Sequence, residues 1–341
     1  MTVVGPLGLS VQDQALEADV LLGMAAVEQA LCEATKSDVP FITVTAQHLL
    51  DAGGKRFRPL LVHLAAQFGD PNAPGVVPSA VVVELTHLAT LYHDDVMDEA
   101  LMRRGSASAN VRWDNSVAIL TGDFLFSRAS KILAGLGPEA VRLQADAFER
   151  LVTGQIQETA GPGPGQDPVQ HYLDVLSGKT GSLIAVACHF GALMSGADED
   201  VTEVLTQYGE RIGIAFQLAD DILDIASDSE ESGKTPGTDL REGVPTLPVL
   251  LLRAAEPDPA VPGDLRLREL LDAGFAPAVP DADARHAEAL LLLRAHPALA
   301  RAREDTLRYA EAARELLVRL PDCSARSALE GLCDAVALRT M

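Results

Sequence analysis

The chain has 341 residues, of which 48% are hydrophobic and only 4% aromatic, and its formal net charge at pH 7 is −22. Its hydrophobic fraction is sufficient for a large core, whereas the acidic balance argues against nucleic acid as a partner, because backbone phosphates favour a basic protein surface. An anionic substrate therefore has to be met by metal ions or by a local basic cluster.

Hydrophobic periodicity favours an all-α fold, since no segment alternates apolar and polar residues with the period of a strand for long. Pro, Gly and acidic residues cluster over 69–79, 161–168, 227–243 and 256–264, which predicts loops there. The N-terminal residues lack the basic start and apolar run of a signal peptide, and no stretch of about eighteen strongly apolar residues occurs. We therefore expect a cytoplasmic chain without a transmembrane segment.

The first basic segment, GGKRFRP over 53–59, contains Lys55, Arg56 and Arg58. A helix is predicted directly after these cationic residues, with Pro59 at its first position. Flexible glycines, cationic side chains and a helix N-terminus together predict an anion site.

A long helix predicted from 79 to about 103 carries the first acidic row. At about 100° per residue, five polar side chains fall within an arc of roughly 100° on one helix face, namely those of Glu84, His87, Asp94, Asp95 and Asp98. Glu84 and His87 also have the Glu-x-x-His spacing of di-iron bundles, but no second copy of that spacing occurs in the chain.

A second acidic row is predicted on a helix over 201–225, where DDILD at 220–224 repeats the DDVMD of 94–98. Gln217, Asp220, Asp221 and Asp224 share an arc of similar width. Unpaired carboxylates on apolar helices repel each other and are costly to bury, so we expect cations to fill both rows. Hard oxygen ligands with few histidines favour Mg²⁺.

Two further polar elements lie near these rows in the sequence. Arg103 and Arg104 follow the first row, and Lys179 and Thr180 lie in GKTG over 178–181, between two predicted helices. The GKT tripeptide lacks the upstream glycine of a nucleotide-binding P-loop and does not follow a strand, so it does not indicate nucleotide binding.

The chain contains six segments whose order resembles that of the motifs of trans-isoprenyl diphosphate synthases, in particular the bacterial medium- and long-chain polyprenyl diphosphate synthases. In chain order these segments are GGKRFRP, HDDVMDEALMRRG, GKTGSL, FQLADDILD, GKTPGTDL and TLP. The resemblance implies an all-α, single-domain helical bundle of the isoprenoid synthase type around a central catalytic cavity. One domain over 1–341 is expected, with 1–10 as a flexible tail, and a homodimer.

The resemblance also implies roles for individual residues. The metal ligands are Asp94, Asp95, Asp98, Asp220, Asp221 and Asp224, which hold three Mg²⁺ ions with the bound diphosphate. The allylic diphosphate is contacted by Arg103, Lys179, Thr180, Gln217 and Lys234, and isopentenyl diphosphate by Lys55, Arg58, His87 and Arg104. The expected catalytic residues are Asp94, Asp98, Arg103, Lys179 and Asp220. The chain departs from many relatives at Val244, where they have a lysine.

The implied activity is head-to-tail condensation of isopentenyl diphosphate with an allylic diphosphate to give all-trans polyprenyl diphosphates, with transient membrane contact for product release. A geranylgeranyl or farnesyl diphosphate synthase is one alternative, and a non-catalytic subunit of a hetero-oligomeric synthase is another. Terpene cyclases have a different second metal motif, and head-to-head synthases carry DxxxD motifs instead.

The positions expected to control product length are Ala89 and Thr90. They lie one helical turn, about 5.4 Å, before the first metal ligands. Helical angle supports Thr90 better than Ala89. The resemblance implicates both, because short-chain members have a bulky residue there as a floor. Both residues are small in this chain, which predicts products longer than geranylgeranyl diphosphate.

Overall fold

Helices make up 77% of the computed structural model and strands almost none, which confirms the all-α prediction. The structure describes residues 3–4, 9–10, 13–226, 236–276 and 281–339. None of the helices in these ranges is both long and apolar enough to cross a lipid bilayer.

The described helices in chain order are α1 (Gln14–Ala34), α2 (Pro40–Asp51), α3 (Phe57–Ala66), α4 (Val76–Met97), α5 (Ala109–Arg112), α6 (Asn115–Leu136), α7 (Pro138–Ala160), α8 (Pro168–Leu176), α9 (Ser182–Ser195), α10 (Glu199–Ala226), α11 (Thr238–Glu242), α12 (Leu247–Ala254), α13 (Asp264–Ala273), α14 (Ala282–Ala295), α15 (Pro297–Leu317) and α16 (Ser324–Leu338). A π-helical turn, Ser177–Gly181, joins α8 to α9. Two antiparallel ladders pair β1 (Val3–Val4) with β2 (Leu9–Ser10) and β3 (Met102–Arg103) with β4 (Ser106–Ala107).

Helix starts follow from capping residues in the sequence. The Asp13 carboxylate accepts a hydrogen bond from the backbone N–H of Ala15 at 2.8 Å, and Asp167 caps α8 in the same way, with Pro168 in its first turn. Such side chains satisfy backbone donors that the first helical turn leaves free, so they fix where a helix begins.

The chain divides into two compact units, the first of which comprises Met1–Leu151, Ser182–Glu210 and Arg314–Leu332. In this unit α4 packs against α1, α3, α6 and α9 and is buried along most of its length. The hydroxyl of Tyr92 on α4 accepts from the backbone N–H of Leu49 at 3.2 Å and donates to the carbonyl of Thr45 at 2.5 Å, which joins α4 to α2.

The second unit comprises Val152–Gly181, Arg211–Ala313 and Cys333–Met341. Its core is formed by aliphatic side chains of α8 and α10 to α15, among them Leu218, Leu252 and Leu293. Helices α7, α10, α15 and α16 have residues in both units. The prediction of one domain over 1–341 stays a prediction.

Two predicted boundaries are wrong. The helix expected over 79–103 is α4, which begins at Val76 and ends at Met97, because Glu99 adopts a left-handed backbone (φ 50°) and the chain then turns into the β3–β4 hairpin. Helix α3 begins at Phe57 rather than Pro59, so Pro59 is its third residue. The second acidic helix, α10, agrees with its prediction to within two residues at each end.

The predicted N-terminal tail over 1–10 is described only at Val3–Val4 and Leu9–Ser10, which pair as β1 and β2. Its other residues lie outside the described part of the chain. The same holds for Lys234, one of the predicted contacts to the allylic diphosphate.

Candidate active site

The first acidic cluster lies where α4 ends. Asp94 is partly buried, the Asp95 side chain is fully buried, and Asp98 is exposed at the helix C-cap, where its backbone N–H donates to the Asp94 carbonyl at 2.8 Å. Asp98 therefore follows α4 rather than belonging to it, but the last turn keeps it beside Asp94.

Asp95 has a protein cation as its partner. Arg103 Nε donates to Asp95 Oδ1 at 2.6 Å, and Asp95 Oδ2 is buried without a hydrogen-bond partner among the described residues. Burial raises the pKa of Asp95, and the Arg103 guanidinium opposes that shift. We expected external cations to neutralise the whole row, but the β3–β4 hairpin supplies one positive charge from the chain itself.

A basic cluster surrounds His87 in the same unit. Burial and the guanidinium groups of Arg58, Arg104 and Arg103 hold the pKa of His87 well below its ordinary value, so its imidazole is neutral near pH 7. Arg104 donates to the backbone carbonyls of Leu49, at 2.9 Å, and Gly53. Three of the residues predicted for isopentenyl diphosphate are thus brought together; the fourth, Lys55, is exposed on the loop before α3.

Arg58 is the cation of this cluster that has an unsatisfied donor nitrogen among the described residues. Its side chain is half-buried, and its Nε is buried without a partner in the described structure. Burial, with the Arg104 guanidinium nearby, lowers the pKa of Arg58 to about 10. A buried donor without a partner is costly, so an incoming anion would gain from the contact.

Arg56 has a structural role that the sequence did not reveal. Its guanidinium donates to Glu28 at 2.5 Å and to Glu84 at 3.3 Å, and the side chains of Arg56 and Glu84 are 9% and 2% exposed. A Cβ on Gly54 would lie 2.7 Å from Arg56 Nη1 and 2.8 Å from Arg104 Cζ, so only glycine lets the two guanidinium groups approach this loop. Glu84 therefore has a protein cation as its partner.

The GKT segment forms the π-helical turn between α8 and α9 in the second unit. Lys179 Nζ donates to Glu158 at 2.7 Å, and Thr180 Oγ1 donates to Gln217 Oε1 at 3.3 Å. A Cβ on Gly154 would meet the Lys179 backbone nitrogen at 2.8 Å, so α7 packs closely against the turn. Single π turns inside helical segments occur frequently at functional sites.

The second acidic cluster lies on α10, and Asp221 is its buried member. Gln217 Nε2 donates to Asp221 Oδ1 at 2.9 Å, and the hydroxyl of Tyr172 on α8 donates to Oδ2. The Tyr172 hydroxyl also accepts from the backbone N–H of Leu247, at the start of α12. Burial raises the pKa of Asp221 to about 6, although both hydrogen bonds favour the ionised form.

The other two carboxylates of this cluster have different surroundings. Arg339, after the last helix, donates to Asp220 Oδ1 at 2.7 Å while its guanidinium lies 4.9 Å from the centroid of the Phe216 ring. The backbone N–H groups of Thr238 and Asp239 donate to Asp224, each at 3.2 Å. The sequence analysis missed both Arg339 and Tyr172, since neither lies in an acidic row or a basic segment.

The two positions predicted to control product length differ in their surroundings. Ala89 is fully buried, and its carbonyl lies 3.1 Å from where a Cβ on Gly122 of α6 would be, so it faces a close helix contact. Thr90 is partly exposed and donates to the His87 carbonyl at 2.8 Å. That either residue controls product length stays a prediction.

No three His, Cys, Asp or Glu side chains of the described residues converge as a preformed metal centre. A divalent ion bound to either cluster would therefore complete its coordination with water or with oxygen atoms of a ligand. Mg²⁺ characteristically binds in this way, through one or two carboxylates together with phosphates and waters.

Residues 39–266 match the family model described as polyprenyl synthetase. The chain is 49% identical to a nonaprenyl diphosphate synthase of Mycobacterium tuberculosis, over 97% of each chain. Among solved structures, it resembles a geranylgeranyl pyrophosphate synthase of Corynebacterium glutamicum complexed with calcium and isoprenyl diphosphate (TM-score 0.85, 42% identity, 97% and 99% of the two chains). It also resembles a decaprenyl diphosphate synthase of Rhodobacter capsulatus (TM-score 0.84, 34% identity, 96% and 99%).

Replacing Arg56 tests whether its buried ion pairs hold this site together. Arg56→Met leaves Glu84 without its guanidinium partner, and we expect the free energy of unfolding to fall by about 3 kcal/mol. Adding Glu84→Gln should restore part of that loss, because the uncompensated buried charge is then removed. Urea unfolding followed by circular dichroism measures both.

Arg142→Met is the matched control, since Arg142 and its partner Asp146 are both exposed, and we expect it to cost less than about 1 kcal/mol. If Arg56→Met is no more destabilising than this control, the ion pairs do not stabilise the site.

Proposed function

Because the chain belongs to the polyprenyl synthetase family, we propose that it condenses isopentenyl diphosphate head to tail with an allylic diphosphate, as a trans-prenyltransferase. One observation carries the proposal: the carboxylates that end α4 and a cluster of partly buried cations are adjacent in one unit, joined by the Arg103–Asp95 ion pair. A carboxylate cluster suits a metal-bound diphosphate, whereas the basic cluster suits a diphosphate that binds without metal.

Mg²⁺ is the proposed cofactor, and the donor set fits it. The donors are hard carboxylate oxygens, and Asp95 Oδ2 is buried without a partner in the described part of the chain. Asp94, Asp95 and Asp98 of the first cluster and Asp220, Asp221 and Asp224 of the second would hold the metal ions with the bound diphosphate, three ions in total. When bound, the metal neutralises charge on the departing diphosphate. Calcium in the C. glutamicum relative supports use of a divalent metal.

The polar residues beside each acidic cluster are proposed to bind the two diphosphates. The residues that would contact the allylic diphosphate are Arg103, Lys179, Thr180, Gln217 and Lys234. Isopentenyl diphosphate binds to the remaining basic cluster, formed by Lys55, Arg58, His87 and Arg104. A neutral His87 can donate or accept a hydrogen bond there without adding charge.

The reaction itself requires no protein nucleophile. The bond between the allylic carbon and the diphosphate oxygen breaks, the double bond of isopentenyl diphosphate attacks the allylic cation, and a proton leaves the new product. Arg103 and Lys179 stabilise the negative charge that builds up on the leaving group, and apolar side chains exclude water that would quench the cation. The released diphosphate takes the proton.

We propose products longer than geranylgeranyl diphosphate. The support is the 49% identity to a protein named for a nonaprenyl product, together with the small side chains at Ala89 and Thr90. The resemblance to a geranylgeranyl pyrophosphate synthase at 42% identity keeps a shorter product as the second candidate.

A homodimer is proposed as well, on the basis of exposed apolar side chains on two helices that pack together. Phe41 and Val44 on α2 and Leu120 on α6 are 52%, 51% and 65% exposed. Apolar side chains grouped at a surface mark interaction sites. Sedimentation equilibrium of the purified protein should give twice the chain mass, and a monomer throughout the micromolar range would contradict the proposal.

Removing one aspartate from each cluster tests the two-cluster assignment. We expect Asp94→Ala and Asp220→Ala each to lower kcat by about 100-fold or more, because transition-state charge stabilisation is lost while the fold is retained. Asp146→Ala, at an exposed position of α7, is the control. Steady-state assays of the purified protein alone, at saturating Mg²⁺, measure the effect; near-normal turnover of either variant would remove that cluster from the active site.

Arg58→Ala tests which diphosphate the basic cluster binds. The KM for isopentenyl diphosphate should rise by about 10-fold or more, and by more than the KM for the allylic substrate, because a charge-assisted contact is lost from one pocket. The control is Arg150→Ala, whose side chain is 45% exposed and paired with Glu210. A larger rise for the allylic substrate would reverse the assignment of the pockets.

A further inference from the structure

His286, a buried histidine of α14, has no part in the site described above. It is 4% exposed and makes an edge contact with the Phe275 ring, the two ring centroids being 5.5 Å apart. Its Nε2 lies 2.8 Å from the Gly237 carbonyl oxygen, and its Nδ1 lies 3.3 Å from Nη2 of Arg241. A carbonyl only accepts and a guanidinium only donates, so the imidazole carries its hydrogen on Nε2. His286 therefore donates to the backbone at Gly237.

The backbone that follows Gly237 contacts Asp224, one of the predicted metal ligands. The N–H of Thr238 donates to Asp224 Oδ1 and the N–H of Asp239 donates to Oδ2, each at 3.2 Å. The N–H of Gly237 itself donates to the backbone carbonyl of Asp224 at 2.7 Å. Each carboxylate oxygen thus has a backbone donor, and because such an oxygen can accept more than one bond, the arrangement is compatible with a metal ion on Asp224.

Gly237 makes a close contact with the imidazole. Its backbone is left-handed (φ 72°), and a Cβ at this position would lie 2.9 Å from Nε2 of His286. Glycine is therefore needed both for the turn and for the approach of the ring. On the other side of the ring, Arg241 also pairs with Asp283 at 2.6 Å. The imidazole is thus held between a guanidinium and the turn that carries the donors to Asp224.

The helix that carries the histidine is anchored at the end of α10. Leu290 and Leu293 of α14 lie in the core of the second unit. Arg294 is two turns after the histidine on the same ridge, and its Nε donates at 2.7 Å to the carbonyl of Ile225, the residue after Asp224. Such a contact satisfies a carbonyl of the last turn of a helix. Helix α14 therefore contacts the chain at Ile225 and at the turn that donates to Asp224, and all of these residues belong to the second unit.

This inference rests on the proposed function, in which Asp224 is a ligand of the second metal cluster. We propose that His286 is a positioning residue for that cluster, because its hydrogen bond to Gly237 holds the backbone donors of the turn on the Asp224 carboxylate. Without that bond, the turn opens more often, and the carboxylate loses the donors that orient it. Groups that orient a metal ligand in this way typically change metal affinity by about 10- to 100-fold.

Hydrogen exchange of the metal-free protein tests the positioning directly. His286→Leu keeps most of the side-chain volume but removes the donor, whereas the amide of His286→Gln can still donate to the Gly237 carbonyl. In peptides that cover 236–243, mass spectrometry should show exchange about 10-fold faster in His286→Leu, because opening of the turn no longer breaks that bond. His286→Gln should exchange at a rate close to that of the wild type.

Metal binding tests the consequence for the second cluster. Mn²⁺ is titrated into the protein together with inorganic pyrophosphate, and free Mn²⁺ is followed by electron paramagnetic resonance. His286→Leu should give a weaker class of sites, with a Kd raised by about 10-fold or more, and His286→Gln should restore most of the loss. In steady-state assays the Mg²⁺ concentration for half-maximal turnover should rise in parallel, and saturating Mg²⁺ should restore turnover.

His296→Leu is the matched control, because His296 belongs to the same unit, has a side chain that is 9% exposed, and places its Nε2 3.1 Å from Asp264. It should change neither the exchange over 236–243 nor the affinity for Mn²⁺. Melting curves recorded by circular dichroism verify folding. Should His286→Leu fail to fold, His286→Asn, whose shorter amide does not reach Gly237, carries the same prediction.

The outcomes separate this inference from the proposed function. Unchanged exchange in His286→Leu, or faster exchange with unchanged Mn²⁺ affinity, would overturn the positioning role. Failure of His286→Gln to restore either quantity would overturn the role of the hydrogen bond. If the wild type binds Mn²⁺ and pyrophosphate but elongates no allylic diphosphate, the proposed function fails, whereas faster exchange and weaker Mn²⁺ binding in His286→Leu would still support the positioning role.

Discussion

A carboxylate on an apolar helix has to meet a positive charge or a hydrogen-bond donor, and the candidate site is built around that constraint. In the structure each buried carboxylate of the site has a partner. Arg56 forms an ion pair with Glu84, and Arg103 forms one with Asp95. Asp221 accepts hydrogen bonds from a tyrosine and a glutamine. Leaving any of them unpaired would cost several kcal/mol. The chain therefore compensates the carboxylates that it buries most deeply, but it does so only in part, since Asp95 Oδ2 has no hydrogen-bond partner among the described residues.

The same constraint explains the arrangement of the basic residues. Arg56 forms ion pairs with two glutamates, and Arg104 donates to the backbone carbonyls of Leu49 on α2 and of Gly53 in the loop before α3. Arg58 retains a buried nitrogen without a partner in the described structure, and burial together with the surrounding guanidinium groups holds the pKa of His87 well below its ordinary value. Of these four neighbouring polar groups, Arg56 thus fixes the local structure, whereas Arg58, His87 and Arg104 belong to the proposed site for isopentenyl diphosphate. Sequence position alone does not separate these roles, because Arg56 and Arg58 are only two residues apart.

Helix period and residue type predicted the all-α fold, the two acidic rows and the basic segments, because those features depend on residues close in sequence. The exact helix ends were missed where backbone conformation decides them, as at Glu99, whose left-handed φ ends α4 before Asp98. Long-range partners were missed for a different reason. Nothing local to Tyr172 or Arg339 indicates that they contact Asp221 and Asp220, since tertiary packing brings them there.

The central claim is that the two aspartate clusters hold divalent metal together with a diphosphate. Crystals grown with Mn²⁺, which shares the oxygen-ligand preference of Mg²⁺, and inorganic pyrophosphate allow the metal to be located by anomalous scattering. We expect anomalous peaks within coordination distance of Asp94 or Asp98 and of Asp220, each also bound to pyrophosphate oxygen. Fully occupied pyrophosphate with no peak at either cluster, or peaks bound only to other side chains, would contradict it.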